Sequence, residues 1–429
     1  MYKIIKFVAK QIKDISEKGP KTLIFKVILL FNITVKKLLI ISFIIFVPFI
    51  FLLKRFFNFH FYELQTERIG CYSSWEPFII LTHYKRNLRN KDLNLCLIYH
   101  NKVVANNYLT DLYKNKMKSL GNYRFLKGYF FWECLTSSYK FWTGRKIKTY
   151  FFNRITMYPM FVKTDRMLKL PNKDIEKGHE LLEKLKIPIN SKWICIHNRD
   201  SSYLESLKRK NYLKHVDFSY HNVRDFKVDD LLPAANYFTK KGYYVIRVGA
   251  ISNQKIISDN PKIIDLVNSN HRNDFADIFF FSNCEFYFGS TAGSWKIAKI
   301  FRKPAFLING FPFADLFLMP WKYPGIFKKL KIIKENRFMT INEMVKKDLN
   351  HFNSKPLLNK MGIEVINNSP KEILELAIEA EEFFRLGKNK NKTSEKLNKI
   401  YSELNKSGYK NYKYYKNPLG LNFLNQINL

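Results

Sequence analysis

The sequence predicts an α/β protein built on a parallel, doubly wound sheet, and three observations predict it. Short apolar runs alternate with longer amphipathic stretches across the middle of the chain, glycines such as Gly242 and Gly249 punctuate them, and only the first sixty residues break the alternation. At 429 residues the chain exceeds one ordinary core, so two domains with end segments are expected. The division reads as a basic, apolar membrane-associating segment over 1–60, a first α/β domain over 61–188, a second over 189–370, and a C-terminal helix with a basic tail over 371–429.

The opening segment holds a nearly continuous apolar run from Leu38 to Leu53, interrupted by Ser42 and bounded by Lys36-Lys37 and Lys54-Arg55. A helix rising about 1.5 Å per residue needs about 20 apolar residues to cross the hydrocarbon, so the run spans only if Phe56 and Phe57 join it. The stretch from Lys3 to Lys26 lacks the small-residue cleavage site of a removable signal and is expected to stay attached. Positive-inside reasoning keeps it cytoplasmic, and a single span would put the body outside. An interfacial helix, or a re-entrant hairpin of Leu23 to Val35 and Leu38 to Phe57, keeps the body inside. A type II Golgi layout is the third arrangement, with Asn32-Ile33-Thr34 and Asn391-Lys392-Thr393 as its sequons.

From Phe61 to about Pro188, strands such as Leu95 to Tyr99 mix with helical stretches. After Pro188 the elements sharpen: strand Trp193 to His197, helix Asp229 to Lys241, strand Tyr243 to Val248, a helix from Asp274 to Ser282, and strand Glu285 to Phe288. A turn from Gly289 to Ser294, a helix to Phe301 and strand Pro304 to Ile308 follow. Glu372 to Phe384 reads as an amphipathic helix, and 387–429 as a poorly ordered basic tail.

Composition bounds the function. With 46% hydrophobic residues, 39 Phe and 25 Tyr, the chain folds. A formal charge of +37 attracts anions without choosing among nucleic acid, lipid headgroups and phosphorylated sugars, and part of it reflects Lys-, Asn- and Ile-rich composition. The five cysteines are scattered and lack a Cys-x-x-Cys spacing, so neither a disulfide framework nor a zinc site is expected; Cys195 and Cys284 read as small buried hydrophobes in a reducing cytoplasm.

Two constellations carry the chemistry. Strand Trp193 to Ile196 runs into His197-Asn198-Arg199-Asp200, at the carboxyl end of a strand, where open α/β sheets bind ligands. Arg199 suits a phosphate, because a guanidinium makes two parallel charge-assisted bonds and stays protonated; its alternative is a pair with Asp200 or Asp225. His197 is a candidate base or a backbone-bonded strand end, and Asp200 a proton acceptor or an orienter of Arg199. The second constellation, Gly289-Ser290-Thr291-Ala292-Gly293-Ser294, lies between a strand and a helix, where backbone N–H groups and the helix dipole favour anions; it also makes a plain turn with Ser294 as N-cap. Both strand ends suit one diphosphate. Arg247, Gly249 and Asp277 are candidate contacts for the rest of the ligand, with Asp274 capping its helix. No Asp-x-Asp and no His or acidic cluster at ligand spacing occurs, so neither a metal nor a cofactor is expected. Phosphate-loop and nucleophile-elbow motifs are absent too.

At these residues the sequence resembles a family of bacterial glycosyltransferases of the GT-B type whose motif layout is related to the GDP-fucosyltransferases. The resemblance runs from about Glu67 to Met344 through Arg68-Ile69-Gly70, Asn107 to Tyr113, Cys195 to Asp200, Tyr244 to Gly249, and Asp277 through Ser290-Thr291-Ala292-Gly293. It implies two Rossmann-like domains, with Arg68, Gly70 and Asn107 on the acceptor side. Arg199 would bind the donor β-phosphate, joined by Ser290, Thr291, Gly293 and Ser294, and the Glu372 helix would pack back on the first domain. Cys71 stands where the family usually carries a histidine, and the residues after Thr291 differ, so GDP-fucose is not assigned. The expected partners are a nucleotide-sugar donor, a glycan, lipid-linked or protein acceptor, and a membrane surface, with no nucleic acid. The expected activity is metal-independent hexosyl or deoxyhexosyl transfer for cell-surface polysaccharide, on the cytoplasmic face. Alternatives are a pyruvyl- or other group transferase on the same fold, or a basic nucleic-acid-binding protein with no catalysis, for which no recognition motif appears.

Overall fold

The computed structural model describes residues 20–73, 92–98, 103–120, 123–126, 129–150, 166, 168–209, 219–318, 322–350, 354–387, 395–406 and 414–428. The chain is mixed α/β with parallel sheets, in two units. The first comprises Met1–Glu63, Arg89–Asn101 and Asn122–Phe151; the second comprises Leu64–Leu88, Lys102–Gly121 and Phe152–Leu429.

In the first unit, four strands, β1 (Asn58–Leu64), β2 (Asp92–Ile98), β3 (Tyr123–Leu126) and β4 (Lys148–Tyr150), lie in the order β3-β2-β1-β4. The pairs β1·β4 and β2·β3 are parallel. The apolar N-terminal segment is helical over Pro20–Ser42, tightens to a 3-10 turn over Phe43–Phe46, and resumes over Val47–Phe56 with Pro48 in its first turn. A proline is tolerated there because its missing N–H is one the helix start leaves unpaired. From Lys26 to Phe56 the segment is long and apolar enough to cross a membrane. The stretch Lys3 to Lys26 lies largely outside the described residues, as does the Asn391 sequon.

The second unit holds a six-stranded sheet of β5 (Trp193–His197), β6 (Tyr244–Arg247), β7 (Ile263–Asp265), β8 (Tyr287–Ser290), β9 (Ala305–Gly310) and β10 (Gly325–Phe327). Its order is β7-β6-β5-β8-β9-β10, and every pairing is parallel. This is the doubly wound arrangement, in which the winding reverses between β5 and β8. Trp193 to Ile196 and all of β8 and β9 are buried, as a sheet covered on both faces requires. Phe238 packs edge-on against Phe286 and Phe288 from one covering helix, and Trp193 against Phe280 from another. A small antiparallel sheet of β11 (Lys329–Ile332), β12 (Arg337–Phe338) and β13 (Ile363–Ile366) completes the unit.

Two expectations change. The Pro370–Leu386 helix, opened by a capping box of Ser369 and Glu372, packs on the Leu232–Lys240 helix of the second unit and sets Phe383 and Phe384 against Phe306 and Phe286. The described parts of the segment read as a poorly ordered tail are folded as well: Leu397, Ile400 and Leu404, one face of the Glu395–Lys406 helix, are buried, and Leu419 bridges to Gly325. Helical spacing of three apolar residues outweighs the Lys/Asn-rich composition around them.

Candidate functional site

A cleft of ≈ 250 Å³ opens in the second unit at the carboxyl ends of β5 and β8, the switch point of the sheet. Arg68, Gly70, His197, Arg199, Asp200, Arg247, Gly249, Asp277, Thr291, Gly293 and Ser294 all line it. Register explains the meeting of the two constellations: His197 lies opposite Gly289, so the chain leaving β5 and the chain leaving β8 emerge side by side.

At the β5 end, the Nδ1 of His197 donates to the Val248 carbonyl at 2.8 Å, which leaves Nε2 as the ring's acceptor. Burial pushes the pKa down to about 4, with Arg247 and Arg199 deepening the shift against the Val248 bond, so the imidazole is neutral at pH 7. Gly249 permits this contact. Its φ is +150°, and a Cβ there would stand 3.2 Å from His197 Nδ1.

Arg199 is buried and donates through Nη1 to Asp225, so the pair foreseen as an alternative does form. That bond uses one of five N–H groups. Burial and the neighbouring Arg224 lower its pKa to about 10, which leaves it charged at pH 7. Asp225 is itself held, because the buried Lys328 ammonium donates to the Val223 and Asp225 carbonyls at 2.8 and 2.9 Å. Asp200 accepts from the Ser202 N–H and from Ser252 Oγ, so both its oxygens have protein partners.

Arg247 is a wall member whose donors are all occupied. Nε and Nη2 donate to Asn198 Oδ1 at 3.1 and 2.9 Å, Nη2 also to Ser252 Oγ, and Nη1 to the Gln254 carbonyl and to Asp265. It braces the β5 loop against the β6 loop. Asp277 is likewise structural in reach, accepting from Gly249 N–H at 3.3 Å and Arg272 Nη2 at 2.9 Å; burial lifts its pKa to about 6 against the opposing pull of Arg272.

At the β8 end the backbone geometry is tighter than the Gly/Ser letters suggest. A Cβ on Gly293 would stand 2.5 Å from the Gly70 nitrogen, and one on Gly70 would stand 2.8 Å from the Gly293 Cα, so only glycines let these two segments touch. Lys296 fastens the contact by donating to the Gly70 carbonyl at 2.8 Å. The helix that follows, Trp295–Ile300, has six residues, and Ser294 makes no side-chain cap bond; its hydroxyl meets Tyr287 Oη at 3.2 Å. The helix-end attraction expected here is therefore slight, and side chains supply the positive charge. Ser290 is buried beside the cleft, its Oγ accepting from Ala292 N–H. Thr291 lines the cleft, and its Oγ1 is buried without a hydrogen-bond partner among the described residues.

Asn107 does not line the cleft: its N–H and Nδ2 donate to Asp274 Oδ2 at 2.8 and 3.0 Å, and Asn106 is the lining residue instead. The cap of the Asp274–Asn283 helix is Asn273, whose side chain accepts from Ala276 N–H. Asp274 instead faces the first turn of the Asn107–Leu120 helix. Three basic lining residues, His221, Arg224 and Lys296, went unmarked in the sequence. Lys296 sits two residues past the marked turn and was within reach of that motif; Arg224 ends a 3-10 turn with no pattern to flag it. Among the described residues no three His, Cys, Asp or Glu side chains are grouped to hold a metal ion.

The chain matches no protein-family model and no curated protein. Among solved structures it is similar to a glycosyl transferase family 9 protein from Veillonella parvula, at 11% identity and a TM-score of 0.40 over 77% of this chain and 98% of that one. It is also similar to TibC from enterotoxigenic E. coli, an iron-containing dodecameric glycosyltransferase, at 12% identity and a TM-score of 0.35 over 62% of each chain. A structure of TibC as a heptosyltransferase with ADP-D-β-D-heptose gives 11% identity and a TM-score of 0.38 over 76% of this chain and 77% of that one. Likenesses this slight carry no functional argument, and the functional reading rests on the cleft itself.

Proposed function

We propose that the protein is a glycosyltransferase of GT-B type that binds a nucleotide-sugar donor in the switch-point cleft, without a metal. One observation carries the reading: Arg199, Arg224, Lys296 and Thr291 line one cleft, and the buried Thr291 hydroxyl has no hydrogen-bond partner among the described residues. Cations in a partly desolvated crevice suit a diphosphate, and an orphaned hydroxyl suits one of its oxygens. The division into an acceptor domain over 61–188 and a donor domain over 189–370, a hexosyl or deoxyhexosyl donor, and a membrane-associated body facing the cytoplasm belong to the same proposal.

In the proposed step an acceptor hydroxyl oxygen forms a bond to the anomeric carbon as the bond from that carbon to the β-phosphate oxygen breaks. The leaving nucleoside diphosphate keeps the electron pair, and Arg199 and Arg224 stabilise the charge growing on it. Nε2 of the neutral His197 takes the acceptor's proton, its tautomer set by the Val248 carbonyl. Asp200, held by Ser202 and Ser252, contributes negative charge that favours the imidazolium so formed. Arg247 keeps the loop that carries these groups in place.

A thermal-shift screen of the full chain in mild detergent, with EDTA in excess, tests this. Nucleotide sugars and nucleoside diphosphates should raise the midpoint more than the matching monophosphates, and nucleosides should do least, since a ligand present at about 100 times its Kd stabilises by about 2.7 kcal/mol. A shift that appears only with added Mg²⁺ or Mn²⁺ would refute the metal-free reading. No shift with any diphosphate would refute the donor site.

A further inference from the structure

We propose that the Tyr129–Thr143 helix joins the N-terminal apolar helices in one surface that docks, in the plane of the interface, on an anionic lipid bilayer. This inference stands apart from the sugar-transfer reading and concerns the first unit alone.

The N-terminal segment has two apolar faces. Phe43, Phe46, Val47 and Ile50 pack on a core of Phe61, Leu95, Leu135 and Tyr139. Ile41, Ile44, Ile45, Phe49, Phe51 and Leu52 point the other way and are exposed, Ile45 by 73%. A helix that crosses a bilayer is surrounded by lipid or by other spanning helices. This one rests on the core of a sheet with strand ends and charged loops, so its free face meets lipid from one side only.

The second helix extends that free face. Phe130, Phe131, Phe141 and Trp142 are exposed by 48, 42, 63 and 43%. Phe131 sits 5.2 Å from Phe43, ring centre to ring centre, which joins the start of the second helix to the bend of the first. Further along, the Arg145 guanidinium lies over the Phe51 ring at 5.4 Å.

Charge selects the occupant. The exposed aromatics are flanked by Lys36, Lys37, Lys54 and Arg55 on the first segment and by Lys140, Arg145 and Lys146 at the end of the second helix. The two helical segments carry a single carboxylate between them, Glu133, and it is paired with Lys36. Aromatic side chains at headgroup depth with basic residues beside them fit anionic lipid, whereas a second copy of this basic face would repel it.

The test is co-sedimentation of the full chain with sealed vesicles of phosphatidylcholine alone or with phosphatidylserine. Wild type should partition more strongly onto phosphatidylserine vesicles. Phe141→Ser with Trp142→Ser should weaken that partition by about tenfold, and Phe141→Ser alone by a smaller factor with an unchanged circular dichroism spectrum. Equal partition of wild type and the folded single variant would overturn the proposal. Protection of a tag at Met1 from added protease by sealed vesicles would overturn it too, because that marks a crossing. Self-association of wild type that displaces vesicle binding would assign the face to a second copy instead.

Discussion

Arg199 and Arg247 leave neighbouring parallel strands of one sheet, carry the same guanidinium and line the same cleft. They differ in what the fold leaves them to do. Arg247 is 1% exposed and spends every N–H on Asn198, Ser252, Gln254 and Asp265. Arg199 spends one, on Asp225, and among the described residues its other donors make no hydrogen bond at the cleft it lines. The difference teaches that an arginine at a strand end is a strut when its donors are saturated and has donors to offer a ligand when they are not.

The largest effect expected from this contrast is on stability. Arg247→Ala leaves the buried Asn198 Oδ1 without its donor and takes the cation from the half-buried Asp265, which keeps the Ile256 N–H and Asn268 Nδ2, and removing one member of a buried pair costs up to about 3–5 kcal/mol. Urea unfolding should show that loss, while Arg199→Ala should stay within about 1 kcal/mol of wild type, because removing Arg199 also relieves its repulsion with Arg224. A folded Arg247→Ala as stable as wild type would erase the distinction.

Next comes turnover. Arg199→Ala should lower the rate of transfer by at least about a hundredfold, since a contact to the leaving group strengthens in the transition state. Arg199→Lys should recover little, because an ammonium cannot make the two-pronged contact while also holding Asp225. Transfer near the wild-type rate by either variant would remove Arg199 from the mechanism.

How much of this was legible follows the range of the interactions involved. The strands β5, β6, β8 and β9 and the polar runs leaving them could be read locally, because apolar runs bounded by Gly, Ser and charged residues state their own ends. The saturation of Arg247 could not, since its partners come from the loop after β5, the loop after β6 and the end of β7, from Asn198 to Asp265. Arg224 escaped notice for the same reason, and Asn106 was passed over for Asn107 because a one-residue choice at a helix start depends on which side chain meets Asp274. The aromatic ends of the Tyr129–Thr143 helix were invisible as a surface, because exposure of Phe141 and Trp142 is a property of packing and not of spacing.

The smallest expected effect separates binding from support most cleanly. Thr291 Oγ1 is a buried hydroxyl with no partner among the described residues, a liability unless a ligand meets it: leaving such a group unmade costs about 1–3 kcal/mol. Thr291→Val keeps the shape and removes the liability, so the ligand-free protein should melt at the same temperature as wild type or higher. If the hydroxyl waits for a phosphate oxygen, the same substitution should weaken nucleoside diphosphate binding by about tenfold, as loss of one hydrogen bond to a charged group predicts. The two readouts move in opposite directions only if Thr291 serves the ligand. A variant with a lower ligand-free melting temperature would make the hydroxyl a structural group, and one with unchanged diphosphate affinity, measured calorimetrically on the full chain, would leave Arg199 and its cationic neighbours to hold the donor alone.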